Sequence, residues 1–537
     1  MPPYERNNMW IEPRNNIRLL HNVPLDVNYE HTIYWTDKSA QMNYFLSKVK
    51  KSIADSTYQR VNKGTCRVGA NAESLYDVNY MMFQNWNFGN KWFYAFVNKV
   101  DYINDNVSEI SYTLDEMQTW ATDYVPNQCF VVREHPDTDN VGDNITPEPI
   151  SASEYVFNNY EPVKDGMENL AVIVAIADVE EVDGELYDGV YGAATLYAYD
   201  LTEESVTEID EQIAEYYSKP DSIIGIYMCP SFILPENGGM LPTGHIIPYG
   251  ANAVPVDVSM PGLTASDTID GYEPKNKKLF TYPYNFIHID NSLGDALDLK
   301  YEFFEQANPS LFIMGTFTQP VQIVLRPKHY KGSGEELLSA ETLEISGYPM
   351  CSWNMDAWKA WVAQNKIPAV ISGVGAAAQI GINYAKKSNS SYAGYDAAKS
   401  GISYAVGLLS EMYHASNTTA DIVKGVLNNG GANVANKKQQ FYWGRCSINA
   451  KQAQIVDDFF TLYGYAINRV KVPDRHGRPH WNYVKTSGCT IHGSIPADAE
   501  KVICSVYDKG VTFWRNGEEI GNYSLDNRPV AGGSNGA

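Results

Sequence analysis

The sequence predicts a mainly β protein with a few helices, organised as several barrel- or sandwich-like domains, and three observations carry that expectation. Tyr 38, Trp 11 and Phe 18 make aromatics 12% of the 537 residues, and aromatic side chains favour pleated, half-buried surfaces. Short apolar runs alternate with Asn-, Asp- and Gly-rich breaks along most of the chain, which is the texture of strands and turns. Stretches with helical apolar spacing are scarce. The length predicts about two to four domains, each able to bury a sizeable core.

Taken in order, the first 130 residues read as strands. Met81, Met82 and Phe83, then residues 91–97, then residues 111–114 are the clearest runs, and Asn87-Phe88-Gly89-Asn90 suits a hairpin connection between the first two. The apolar run Leu170–Ile176 reads as a strand covered on both faces. Residues 312–317 and 321–325 flank Thr318-Gln319-Pro320 as a second hairpin. Ser447 predicts the cap of a helix with an apolar face of Ile448, Ile455, Val456, Phe459, Phe460 and Tyr463, stopped by Gly464. A second helix is expected from near Pro496 to just before Gly510, and strands are expected over residues 465–472, 481–485 and 511–514.

The formal charge of −23 excludes a general DNA-neutralising surface. It is unevenly spread. Between Glu134 and Tyr216 stand 22 Asp and Glu against the single basic Lys164, whereas Lys424 to Asn516 holds 13 Lys and Arg against 6 acids. Such polarity suits parts that face different surroundings or oppositely charged neighbours. Seven widely spaced cysteines (Cys66, Cys129, Cys229, Cys351, Cys446, Cys489 and Cys504) predict reduced thiols rather than a disulfide framework. The opening MPPYERNNMW has no apolar h-region, so no secretory signal is expected.

One segment departs from the β texture. Residues 367–385 run for 19 positions without a charge; Lys386-Lys387 and a Ser/Asn/Tyr stretch follow, then the uncharged residues 400–410 and a Gly/Asn/Ala-rich stretch over 425–436. Nineteen apolar residues suffice to span a bilayer core in about one helix. The three glycines and Pro368 in this run make it only weakly hydrophobic, which argues against a permanent membrane helix. Glycine also costs helix stability, by about 1 kcal/mol relative to Ala, while small residues let copies of one segment approach closely.

No catalytic constellation emerges, and no metal or cofactor is expected. Gly373-Val374-Gly375-Ala376-Ala377-Ala378 satisfies a dinucleotide fingerprint, with Asp396 at the ribose position. Pro368 spoils the preceding strand, and no buried strand leads to Asp396. Asp137, Asp139, Gly142 and Glu148 occupy calcium-loop positions, but Val141 and the bracketing Pro147 and Pro149 make an acidic turn the better reading. Cys489 and His492 have ligand-like spacing without a second pair. Glu180-Glu181 and Glu203-Glu204 are the acid pairs a glycosidase would use, although adjacent acids in a charged stretch ordinarily face water.

Five patches, in order, carry a family resemblance. They are Val23-Pro24-Leu25 through Tyr29, Thr32 and Trp35, with Asn43-Tyr44-Phe45; then Met82–Asn85, residues 89–97, Gln118-Thr119-Trp120 and residues 130–135; then Lys278-Leu279, Tyr282-Pro283-Tyr284, Asn291 and Gly294. The fourth is Pro349, Cys351-Ser352-Trp353, Asp356 and Trp361, and the fifth is Tyr463-Gly464-Tyr465, Ile467–Val470, Asn482-Tyr483-Val484, Gly510 and Gly521–Ser524. Together they resemble the tail knob, or distal tail tube, proteins of small short-tailed bacteriophages of Gram-positive bacteria. Residues 136–270 match poorly.

The resemblance implies a virion structural protein of the phage tail, not an enzyme: a homohexameric tube subunit with a knob and a long hydrophobic loop, acting as conduit for genome ejection. It implies a tail-tube β domain over 1–135 and a knob region with an acidic insertion over 136–345. A helix and the membrane-active loop follow over 346–436, and a C-terminal β region returns to the tube over 437–537. The loop residues it singles out are Ile367, Val370, Ile371, Val374, Ala377, Ile380, Ile382, Ile402, Val406, Leu408 and Leu409. They would plug the lumen and later enter the host membrane, soluble among their own copies and membrane-active when released. The implied partners are five further copies, proximal tail or lower collar proteins, a tail-tip lysin or plug protein, the host cell membrane, and viral DNA passing without specific binding. The place implied is the virion tail, assembled in the bacterial host cytoplasm. A tail-tip receptor-binding protein and a cell-wall polysaccharide hydrolase are the rival readings.

Overall fold

The computed structural model describes residues 15–353 and 441–529, apart from 57–63, 86–88, 165–169, 178–193, 201–207, 210, 213–214, 217–221, 236–244, 248–250, 292–294, 318–321, 332–342 and 347–351. The fold is mostly strands, and the chain divides into two compact units. Unit 1 comprises residues 1–153, 272–279 and 450–537, and unit 2 comprises 154–271 and 280–449.

Unit 1 contains a six-stranded antiparallel sheet in the order Val49–Ser56, Asn15–His21, Val78–Asn85, Trp92–Asn104, Val107–Leu114, Thr65–Val68. The predicted runs at 81–83, 91–97 and 111–114 are its central strands, and the second and third of these pair as expected of neighbours. Alternation by two fills both of its faces. Ile17, Leu19, Met81, Ala95 and Ile110 pack on one face. Leu20, Tyr80, Met82, Tyr94 and Phe96 pack on the other, around Phe45. Phe45 comes from the helix Lys38–Ser47, which sequence periodicity did not announce; Asp37 caps it by accepting from the Ala40 N–H at 2.8 Å. Tertiary contact holds this weakly amphipathic segment, with Phe45 stacked on Tyr80 at 5.2 Å.

A second sheet joins both ends of the chain: His31–Ile33 runs parallel to Val511–Trp514, followed by Trp481–Ser487, Cys129–Glu134 and Tyr465–Lys471. Trp481 and Trp514 are fully buried with ring centroids 5.2 Å apart. The helix Ala497–Lys509 lays Ile503, Val506 and Tyr507 on Val484, Val511 and Phe513. It ends where predicted, at Gly510, whose φ of 99° is open to glycine. A Cβ there would meet the Tyr483 hydroxyl at 2.2 Å. The other predicted helix spans Ala450–Tyr463 and stops at Gly464, but it begins later than expected. Ser447 and Ile448 instead end the strand Tyr442–Ile448, because pairing with Asn285 and Tyr155 outweighs the local capping signal.

In unit 2, Leu170–Ile176 lies between Thr195–Asp200 and Ile223–Pro230, with His245–Ile247 and Ser352–Trp353 as outer strands. Residues 171–176 are all buried, as a strand covered on both faces must be. A further sheet orders Tyr155–Phe157, Tyr442–Ile448, Asn285–Asp290 and Ala296–Leu299, and Ser310–Thr316 pairs with Gln322–Lys328 as the second predicted hairpin. The three sheets share one core that includes Ile173, Ala198, Tyr227, Ile287, Leu311, Leu325 and Trp443.

Candidate functional site

The two segments that flank the proposed membrane-active loop belong to unit 2. Ile367, Val370, Ile371, Val374, Ala377, Ile380, Ile382, Ile402, Val406, Leu408 and Leu409 lie outside the described residues, as do the dinucleotide-like Gly373 to Ala378, Asp396 and the acid pairs Glu180-Glu181 and Glu203-Glu204. The two stems are described. The departing stem, Ser352–Trp353, pairs with Ile226 and Tyr227 on the outer side of its sheet. The returning stem, Tyr442–Ile448, sits mid-sheet between Tyr155–Phe157 and Asn285–Asp290.

The returning stem is locked by several independent contacts. Phe441 is fully buried, and its carbonyl accepts from the Val163 N–H at 2.8 Å. Tyr442 stacks on Tyr160 at 5.0 Å, and the Tyr160 hydroxyl donates to Asp290 at 2.6 Å. A Cβ at Gly444 would come within 2.5 Å of the Asn159 carbonyl oxygen and 2.8 Å of the Phe157 ring, so only glycine fits. Arg445 pairs with Asp267 at 3.0 Å. Burial pushes the Asp267 carboxyl up, but the Arg445 guanidinium and the Thr264 N–H more than reverse it and hold it below the ordinary range. The returning stem contributes Phe441 and Trp443 to one apolar core, and the strand on which the departing stem pairs contributes Tyr227 to the same core.

The acidic turn of unit 1 was the calcium-loop candidate, and its acids are spoken for. The Glu148 side chain is 1% exposed. It receives the Arg133 guanidinium on one oxygen, and the Lys278 ammonium at 2.5 Å and the Ala466 N–H at 2.8 Å on the other. Asp139 accepts from the Tyr465 hydroxyl at 2.5 Å and the Lys277 N–H at 3.2 Å, and burial raises its carboxyl above the usual range. Glu134 is fully buried and takes Lys471 and, at 3.0 Å, the Asp474 N–H. Burial raises its carboxyl as well. Glu134 and Glu148 are therefore internal counterions, Glu134 of Lys471 from the positive window and Glu148 of Arg133 and Lys278 from outside it, while Asp139 is an internal hydrogen-bond acceptor.

The remaining candidates part company. His492 bonds Asn127 at 2.6 Å, while Cys489 is buried; among the described residues no group of three His, Cys, Asp or Glu is arranged to hold a metal. The six described cysteines are free, and burial raises the Cys66 thiol to about 12. Cys351 lies outside the described residues. Among the described residues no helix is long and apolar enough to cross a membrane. Sequence reasoning missed the buried cations Arg133, Lys278 and Arg478. Arg133 follows the apolar Phe130-Val131-Val132, which could have marked it, whereas Lys278 and Arg478 stand in polar, charged stretches that carry no such signal.

The family model of the C-terminal domain of the tail knob protein gp9 of Bacillus phage phi29 matches residues 257–528, just over half of the chain. The chain belongs to this tail knob protein family. A second model, the N-terminus of the caudoviral major tail protein, matches residues 13–125. The tail knob proteins gp9 of Bacillus phages phi29 and B103 are 25% and 23% identical, each over 95% of this chain and 98% of the relative. The solved tail knob protein gp12 of bacteriophage C1 has a TM-score of 0.64 at 16% identity, over 96% of this chain and all of that one. That likeness shows the fold. As a tail knob family member, the chain is a structural component of the phage tail, built into a multi-protein tail assembly.

Proposed function

We propose that six copies of this tail knob protein form a ring-shaped conduit for genome ejection, plugged by the apolar loops, which enter the host membrane on release. The observation that carries the membrane step is the uncharged run 367–385, which lies in sequence between two stems that are each paired into a sheet of unit 2. Rigid stems let a long weakly apolar loop be expelled without unfolding its platform. The ring reading is supported by the outer strands Val49–Ser56 and Thr65–Val68 of the six-stranded sheet, whose outer sides pair with no strand among the described residues and suit pairing around a closed ring. The partners would be proximal tail proteins above and a tail-tip lysin or plug below.

The test is dye release from liposomes by the full-length protein. Deletion of residues 370–432 is expected to abolish leakage, and Ala377→Asp to reduce it strongly, since a charge in hydrocarbon costs about 2.5–3.5 kcal/mol per helix. Both variants should still form rings in electron micrographs. Leakage that survives the deletion rejects the membrane role, and rings without a central channel reject the conduit. Reducing sugar released from cell walls by the same preparation would favour the hydrolase reading instead.

A further inference from the structure

We propose that unit 2 carries a binding face for a pyranose saccharide without acidic substituents, built on the half-exposed rings of Tyr155, Phe157, Tyr160 and Tyr282. The rings stand on or beside the sheet that orders Tyr155–Phe157, Tyr442–Ile448, Asn285–Asp290 and Ala296–Leu299. The inner face of this sheet sends Ile287, Ile289, Leu299 and Trp443 into the core. By the period of two, its outer face carries Phe157, Cys446 and Phe286 in one cross-strand row, and Gly444, His288 and Asp298 in the next. The solvated face of an antiparallel sheet is ordinarily polar. Here the four rings are instead between 41% and 53% exposed, and large apolar groups gathered on one open face mark an interaction site.

The rings hold one another in place. Phe157 lies 5.4 Å from the His288 ring and 5.6 Å from Tyr160, both edge to face. Tyr160 is stacked on Tyr442, and Tyr155 and Tyr282 flank the buried Phe286 at 5.3 and 5.6 Å. A face already set costs little side-chain ordering when a ligand arrives. Polar groups stand among the rings. The Tyr160 hydroxyl donates to Asp290, and His288 Nδ1 lies 2.7 Å from one oxygen of the exposed Asp298. The other Asp298 oxygen has no donor among the described residues.

This mixture selects the occupant. An apolar helix, or an apolar surface of a second copy, would cover the Asp298 carboxylate without supplying it a donor, and such burial is costly. An anionic polymer or lipid headgroup would meet Asp290 and Asp298 on a chain of net charge −23. The cation beside the rings, Lys300, is drawn over Tyr282 and Phe303, with its Nζ 4.5 and 4.9 Å from their centroids. A pyranose without acidic groups satisfies both kinds of surface. Its weakly electropositive C–H faces lie on the electronegative faces of the rings. Its hydroxyls donate to Asp298 in charge-assisted hydrogen bonds. Because the rings are spread over two strands and their flanking turns, the face suits several linked sugar units.

The experiment applies the full-length protein to an array of immobilised pyranoside oligosaccharides with neutral, amino-sugar and uronic-acid members. Neutral or amino-sugar members should be bound, and uronic-acid members should not. Tyr155→Ala and Phe157→Ala should each weaken binding about tenfold. Asp298→Asn keeps the shape of its side chain and should weaken binding by about the same factor. All three side chains are exposed, so thermal midpoints should stay close to wild type. Tyr76→Ala, at an exposed ring of unit 1, serves as control and should bind as wild type does. Binding of no member, preference for the uronic-acid members, or equal binding by wild type and all three variants overturns the proposal. So does self-association of wild type in place of sugar binding, lost in Phe157→Ala, which would assign the face to a second copy.

Discussion

Replacing Glu148 by Gln keeps the shape of the side chain and removes one buried charge. In the folded protein Glu148 faces Arg133 and Lys278, whose side chains are 10% and 3% exposed. Burial already lowers the Lys278 ammonium from its usual range, and Glu148 works against that. A Gln amide still offers one oxygen, which the Lys278 ammonium and the Ala466 N–H can share. Its NH2 group then meets the Arg133 guanidinium donor to donor. Losing a hydrogen bond to a charged group costs about 1.5–3 kcal/mol, and leaving one partner of a buried pair uncompensated brings the total to about 3–5 kcal/mol. That is a large share of the roughly 5–15 kcal/mol that holds an ordinary domain. The assay is urea unfolding followed by tryptophan fluorescence, since Trp481 and Trp514 are buried in the same unit. Hydrogen exchange of the strand Tyr465–Lys471 localises the loss. The exposed acid Glu154, changed to Gln, serves as control and should stay within about 0.5 kcal/mol of wild type. A loss below about 1 kcal/mol for Glu148→Gln would refute the reasoning. So would a calcium-dependent rise in wild-type stability reversed by EDTA, which would restore the calcium-loop reading of Asp137, Asp139 and Glu148.

Two buried groups give opposite pH dependences. Burial, helped by the Arg478 charge, holds His135 down to about 3 from 6.5, so between those values the unfolded chain binds a proton that the folded chain refuses. Stability from this group falls as pH drops, by up to about 1.4 kcal/mol per unit. Burial raises Asp115 from 3.8 to about 7, so between those values the folded chain keeps a proton that the unfolded chain releases, and stability falls as pH rises. Asp115→Asn should therefore make unfolding free energy climb more steeply with pH from 4.5 to 6, and an unchanged slope would contradict the assignment. Gly464→Ala should cost at least about 1–3 kcal/mol in strain at its φ of 64°, with more because a Cβ would meet the Glu134 carbonyl oxygen at 2.2 Å; a near-neutral melt would oppose it. In native protein Cys66, Cys129, Cys229, Cys446 and Cys489, all buried, should react with a thiol reagent far more slowly than in urea. Fast labelling of all of them without denaturant would be the contrary result.

The sequence by itself determined what depends on neighbours along the chain. Alternation and apolar runs marked Leu170–Ile176, the hairpin of Ser310–Thr316 with Gln322–Lys328, and Val511–Trp514. Pro496 and Gly510 bounded a helix because proline suits a helix start and glycine its left-handed stop. The five ordered patches pointed to the tail knob family. Tertiary structure alone decided what depends on residues brought together from afar. Ser447 carried a cap signal and became strand, because ladder bonds to Asn285 outweigh one side-chain cap. The helix Lys38–Ser47 has little amphipathic pattern and is held by Phe45 against Tyr80 and Tyr94. Asp139 and Glu148 read as parts of an acidic turn and Glu134 as the start of an acidic window; the fold makes Glu134 and Glu148 counterions for Lys471 and Lys278, and Asp139 a seat for the Tyr465 hydroxyl. A carboxylate reads the same in sequence whether water or a lysine hundreds of residues away neutralises it. Only the fold sets its dielectric surroundings, and with them whether its charge is solvated or paired.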